Sequence, residues 1–232
     1  MRPLVSVGWI LALLSSASIY AATVSGSVSQ GGNSPMIKLA APRTIGKMSV
    51  EEAIAKRRSI REFTTASVTL EDVAQLLWCA QGITGKEGFR AAPSAGATYP
   101  LETYLVAGEV PGLAPGVYRY DPAQHSLILH QKGDVRSALA SACLGQEWVK
   151  NAPLSIALSA IYERTTKRYG ARGRQYVHME IGHVAQNVYL QATALGLGTV
   201  IVGAFEDDRV SKVLALPPNE VPLAVLPIGV PK

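Results

Sequence analysis

The segment 175–195 constrains this chain more than any other. Val177, Ile181, Val184, Val188, Gln191 or Ala192, and Leu195 recur at the 3–4–3–4 spacing of a helix with a buried face. Tyr189 and several alanines carry apolar surface around much of the circumference, further than one core face requires. The helix has to be covered on more than one side. This predicts an obligate homodimer built on it, with upwards of ~2,000 Å² buried. Gly196 and Gly198 close the helix.

Around it, local signals set the other elements. Ser49, with Glu52 three residues on, is a capping-box start for a helix reaching about Arg58. Thr69 with Asp72 repeats the device, and that helix ends at Gly82. Residues 84–98 are a Gly/Ala/Pro-rich loop. Strands are expected over 102–107, 154–160, 199–202 and 221–228, with a hairpin of arms 117–120 and 127–130 around Asp121 and Pro122. Helices are expected over 134–150 and 208–214. No internal repeat or second domain is found. Helices come first, then strands mixed with helices. That order gives an α+β, three-layer fold, a mixed or antiparallel central sheet flanked by helices.

Composition narrows the functions. The 232 residues are 48% hydrophobic and 17% charged, which excludes disorder and allows a full core without disulfides or a structural metal. Two cysteines exclude a disulfide scaffold and a Cys-rich zinc module. Cys79 and Cys143 both lie in apolar helical contexts that fit buried free thiols. His178 and His183 point about 140° apart on a helix, so they do not chelate one metal. No Gly-x-Ser-x-Gly elbow of a serine hydrolase is present. The net charge is +5, and nine of the 22 basic residues fall in 56–61 and 164–174. That clustering points to local anion sites rather than nucleic acid, and three Phe offer no ladder for base stacking.

Residues 1–22 have the pattern of a secretory signal peptide: Arg2, an apolar Leu4–Leu14, then a Ser/Ala-rich stretch ending at Ala22. The apolar run is shorter than the ~18–20 residues of a membrane span. An uncleaved anchor is the competing reading. Cleavage after Ala21 or Ala22 predicts an exported, periplasmic protein with no stable membrane anchor. Residues 23–47 read as a flexible lead-in and 48–232 as the folded domain.

Three stretches carry candidate chemistry. In Lys56–Phe63, three arginines and Ser59 crowd a helix end. The helix dipole accounts for cations there, and a phosphate clamp of guanidinium forks with a hydroxyl is the functional alternative. In Ala92–Pro100, small residues between two prolines make a rigid loop able to approach a flat ligand. In Leu195–Phe205 the glycines space as GxGxxxxG after a helix, which is not a dinucleotide fingerprint. Gly203 there exposes backbone N–H groups after a strand.

In this order, RRSIREF, APSAGATYP, GLGTVIVGAF and PLAVLPIG resemble the nitroreductase superfamily of FMN flavoproteins over about residues 48–230. PSAGATYPLETYLV and KRYGARGRQYVHMEIGHVAQN are most similar to the SagB-type branch, which dehydrogenates thiazoline or oxazoline rings in peptides. The resemblance implies a nitroreductase-like fold and bound FMN, with ping-pong electron transfer to a small organic acceptor. The substrate would be a small molecule or a peptide. It implies that Arg57 and Ser59 bind the FMN phosphate, with Arg58 at the remaining motif position. Arg61 would approach the N1/O2 edge of the flavin. Pro93, Ser94 and Ala95 would contact the flavin from the partner subunit, and Gln146 would read its pyrimidine edge. Val202 and Gly203 would offer N–H to N5. Relatives often have Asn where this chain has Ala97. The family's late basic phosphate ligand matches Lys232, or is replaced by the basic stretch 164–174. Two other readings compete with an FMN oxidoreductase. One is a non-catalytic envelope flavin-binding protein, the other a peptide-ring dehydrogenase, which export disfavours.

Overall fold

The computed structural model describes residues 36–232, so the signal-peptide reading of 1–22 lies outside the described residues. Seven strands form one sheet: β1 (Met36–Lys38), β2 (Leu101–Ala107), β3 (Gly116–Asp121), β4 (Ser126–Lys132), β5 (Leu154–Ala160), β6 (Gly198–Thr199) and β7 (Val221–Gly229). Their order is β1-β4-β3-β2-β5-β7-β6, and every ladder is antiparallel. The helices are α1 (Val50–Lys56), α2 (Leu70–Gln81), α3 (Arg136–Ala142), α4 (Glu147–Asn151), α5 (Glu163–Tyr169), α6 (Gly173–Ala194) and α7 (Asp207–Val213).

Strand alternation makes the three layers. Along β2, Leu105 faces a core with Leu76 and Leu77 of α2 and Val184 and Val188 of α6. Tyr104 and Val106 face a second core with Leu139 of α3, Val149 of α4 and Val210 of α7. Successive side chains of a strand point to opposite faces, so the central strands are apolar on both sides. Every residue of β5 is buried.

Four sequence expectations need correction. Residues 36–38 of the expected lead-in are an edge strand, pairing Met36 with Ile128. The single helix expected over 134–150 is two, because Leu144 (φ 57°) and Gly145 (φ 74°) turn left-handed. The Gly145 amide then bonds the Ala140 carbonyl at 2.9 Å, as in a Schellman end. The strand expected over 199–202 leaves the ladder after Thr199, since the Ile201 amide donates to the Tyr189 hydroxyl at 2.9 Å. Helix α5 falls in the stretch read only as basic. Its ERTTKRY sequence has no apolar period to reveal it.

Candidate functional site

The end of α1 builds the first cluster. Ser49 Oγ accepts from the Glu52 amide at 3.1 Å, while the Glu52 carboxylate turns to Lys56 instead of closing the box. Past Lys56 the chain leaves the helix and runs beside β6, with the Ile60 amide on the Thr199 carbonyl at 2.9 Å. This seats two side chains on Tyr189 of α6. The Arg57 guanidinium lies 5.1 Å from its ring centroid, and Ser59 Oγ is 3.0 Å from its hydroxyl. A tyrosine hydroxyl has one proton and two lone pairs. Since Tyr189 accepts from Ile201, its proton can go to Ser59, leaving the exposed Ser59 hydroxyl free to donate outward.

Arg61 and Gln146 join this neighbourhood. Arg61 lies 5.5 Å from the ring centroid of Trp148 on α4. Gln146 Nε2 donates to the Cys143 and Ala204 carbonyls at 2.9 and 2.8 Å, tying the α3–α4 turn to the segment after β6. Both amide protons are thereby used, so only the Gln146 carbonyl oxygen remains for a ligand edge. Gly203 is exposed, no described residue accepts from its amide, and none beyond its chain neighbours lies within 4 Å of where its Cβ would stand.

Three expected ligands sit differently. The Val202 amide donates to the Val225 carbonyl at 2.8 Å, so it has no proton for a cofactor nitrogen. Arg58 folds back on its own helix end, donating to the Ala55 and Arg57 carbonyls at 3.0 and 2.7 Å. Its charge answers the helix dipole. Lys232 is pinned by its amide to the Glu62 carbonyl. It lines a cleft of about 470 Å³ with Arg136 and Lys150, whose walls do not include Arg57 or Ser59.

The second cluster is the loop at Pro93, Ser94 and Ala95. Ser94 Oγ accepts from the Tyr99 amide at 3.0 Å, and one tight turn follows at Ala95–Ala97. Gly96 is left-handed (φ 59°), and a Cβ there would stand 2.5 Å from the Tyr169 hydroxyl, so the position favours glycine. Thr98 and Thr165 hydroxyls meet at 2.8 Å and anchor the loop to α5. Of the basic stretch 164–174, Arg168 reaches the Gly96 carbonyl, which places it beside this loop rather than beside Arg57.

Under the loop lies Glu180 of α6, only 2% exposed. Burial raises its carboxyl above the ordinary value, while the neighbouring Ser94, Gln81 and Arg90 pull the other way. Glu180 and Tyr189 are nine positions apart, about 13 Å along a helix. The two clusters therefore share α6 without meeting in one chain. Tyr189 was legible in the sequence as helix surface but not as the residue that Arg57 and Ser59 share. Nothing in the local pattern marked Glu180.

Among the described residues no His/Cys/Asp/Glu group could hold a metal. Cys79 and Cys143 are buried free thiols, and burial pushes the Cys143 thiol up to about 11. No described helix is long and apolar enough to cross a membrane.

The sequence profile of the Nitroreductase family matches residues 54–230. The chain is 47% identical to MJ1384 of Methanocaldococcus jannaschii, which carries the nitroreductase name, over 80% of this chain and 92% of that one. It is 31% identical to the trifolitoxin-processing protein TfxB of Rhizobium leguminosarum bv. trifolii, over 58% of this chain and 38% of that one. A crystal structure from Ralstonia eutropha JMP134 bearing the same family name superposes with a TM-score of 0.75. It is 30% identical and covers 87% of this chain and 92% of that one. The chain belongs to the nitroreductase family, which supports an oxidoreductase.

Proposed function

We propose that this chain is an FMN-dependent oxidoreductase that works as a homodimer. The observation that carries the reading is the convergence of Arg57 and Ser59 on Tyr189, whose hydroxyl also holds Ile201, two residues before the free Gly203 amide. These donors fit the group. A guanidinium fork and a hydroxyl answer a phosphate, and an unpaired amide answers a ring nitrogen. Arg57 and Ser59 would hold the phosphate. Arg61 would place positive charge near the pyrimidine edge, with the Gln146 carbonyl accepting there. Bound FMN would supply the hydride acceptor and donor, so the chain needs no nucleophile or acid–base pair of its own.

The Pro93–Ala95 loop would come from a second copy. Apolar exposure beside α1 supports this, with Ile45 88% and Val50 65% exposed near Leu190 and Ala194 of α6. The partial likeness to a toxin-processing protein supports a second reading, a dehydrogenase of peptide-derived rings. Export through residues 1–22 would make a freely diffusing nicotinamide an awkward donor. Mass spectrometry of the native amino terminus with cell fractionation tests that part.

The absorbance spectrum of the purified protein tests the central reading, followed by anaerobic reduction with candidate donors. A yellow protein with an FMN spectrum is expected. A colourless protein that cannot be reconstituted ends the reading. Flavin retained by a sedimenting monomer would remove the dimer.

A further inference from the structure

Beside the Pro93–Ala95 loop lies a pocket of about 430 Å³ whose walls include Arg90, Tyr99, Glu102, Arg119, Asp121 and Arg164. Three guanidiniums there face two carboxylates, and both carboxylates are already engaged. Glu102 Oε1 takes Arg164 at 2.6 Å, and Arg119 stands 3.9 Å from Glu102 Oε2. Asp121 Oδ1 accepts the Ala123 and Gln124 amides of the β3–β4 turn at 2.9 and 3.3 Å.

Arg90 is left over. It is half-buried and makes no ion pair among the described residues. Its Nη1 donates to Gln81 Oε1 at 2.8 Å, and its guanidinium stacks 4.5 Å from the Tyr99 ring centroid. Those contacts orient the fork without neutralising it. Glu102 and the buried Glu180 favour its charge through space without forming an ion pair, and Glu180 Oε1 has no hydrogen-bond partner among the described residues. Burial penalises this guanidinium, and with no carboxylate in direct contact an incoming anion can pair it.

We propose that this pocket is an oxyanion site, taking the carboxylate or phosphate of a small acidic molecule on Arg90, with Arg119 at the rim. Tyr99 connects it to the candidate flavin site: its ring carries Arg90 and its amide is bound to Ser94 Oγ at 3.0 Å. The anion thus sits on the same rigid piece as the loop, and the pocket selects acidic substrates for the flavin. That selection rests on the FMN reading, whereas anion binding itself does not.

Calorimetric titration of the purified full chain with succinate, inorganic phosphate and neutral succinamide tests it. Saturable binding of at least one anion is expected, with none of succinamide. Arg90→Gln should weaken the anion at least tenfold, and Arg119→Gln several-fold. Arg119 has a half-exposed side chain and only a long contact to Glu102, so its variant keeps the test open should Arg90→Gln fail to fold. Preference for phosphate assigns a phosphate ester, and preference for succinate a carboxylic acid. No saturable anion binding, equal binding of succinamide, or anion affinity unchanged in the folded variants overturns the proposal. Flavin absorbance is read on the same samples. Anion binding by a protein that takes up no FMN refutes the flavin reading alone.

Discussion

The two ends of α6 use polar residues in opposite ways. Around Tyr189, the polar groups have capacity to spare: the Ser59 hydroxyl and the Arg57 fork keep donors facing solvent, and the Gly203 amide has no acceptor. Around Glu180, the loop satisfies itself: Ser94 Oγ takes the Tyr99 amide, and Thr98 takes Thr165. The first end keeps donors free on the Arg57 side, while the loop of the second end is fixed by its own hydrogen bonds, with Arg90 beside it making no ion pair among the described residues. A flat ligand needs both, a place that grips its charge and a rigid wall to lie against. The wall's helix position lies about 13 Å along α6 from the grip, and under the proposed dimer a second copy would bring its wall to this grip.

Mutations should separate the ends. The largest effect is expected for Arg57→Ala, which removes a charge-assisted phosphate contact worth about 1.5–3 kcal/mol. Flavin affinity should fall on the order of tenfold to a hundredfold, with little change in the unfolding midpoint. Unchanged affinity in a fluorescence titration returns Arg57 to the helix end. Tyr189→Phe should act on both affinity and stability. It frees Ser59 and leaves the Ile201 amide without its partner. An unsatisfied amide costs about 1–3 kcal/mol, and the exposure of Ile201 to water keeps this case near the low end. Urea unfolding of the variant measures it.

These contrasts explain what the sequence could and could not reveal. The capping residues Ser49 and Thr69 are local signals, and both helices start where they say. Strand β5 is a continuous apolar run because both its faces are covered, and its bounds were readable. The failures are non-local. Whether the Val202 amide is free depends on Val225 across the sheet, and the fate of Lys232 depends on Glu62. Adjacent arginines look alike in a string, although Arg57 meets a tyrosine 132 positions on while Arg58 meets its own helix. Within the candidate site, residue types were legible and hydrogen-bond commitments were not.

The wall end has its own signature, in pH. Burial raises the Glu180 carboxyl above its ordinary value near 4.5. The folded state then binds this proton more tightly than the unfolded chain does. Between 4.5 and the raised value the folded state carries the extra proton, so stability falls as pH rises through that window. Glu180→Gln removes the titration and should flatten the fall, leaving the flavin contacts of Arg57 and Ser59 untouched. Urea midpoints across the acid range measure both chains. Parallel curves would show that another group carries the dependence.

The smallest effect is expected one residue from the largest. Arg58 is exposed and donates to the Ala55 and Arg57 carbonyls, which a helix end otherwise offers to water. Removing such a cap costs little, since water replaces it: about 0.5 kcal/mol or less for Arg58→Ala. Flavin affinity should stay within about twofold, because nothing orients this fork towards Tyr189. The pair Arg57→Ala and Arg58→Ala thus changes the same charge on the same turn, and long-range attraction alone would make the two losses equal. A large loss in the first with almost none in the second assigns the binding to directed contact. Equal losses would mean that the helix end works as a diffuse positive field, and raising the salt concentration would then weaken flavin binding in the parent chain to a similar degree.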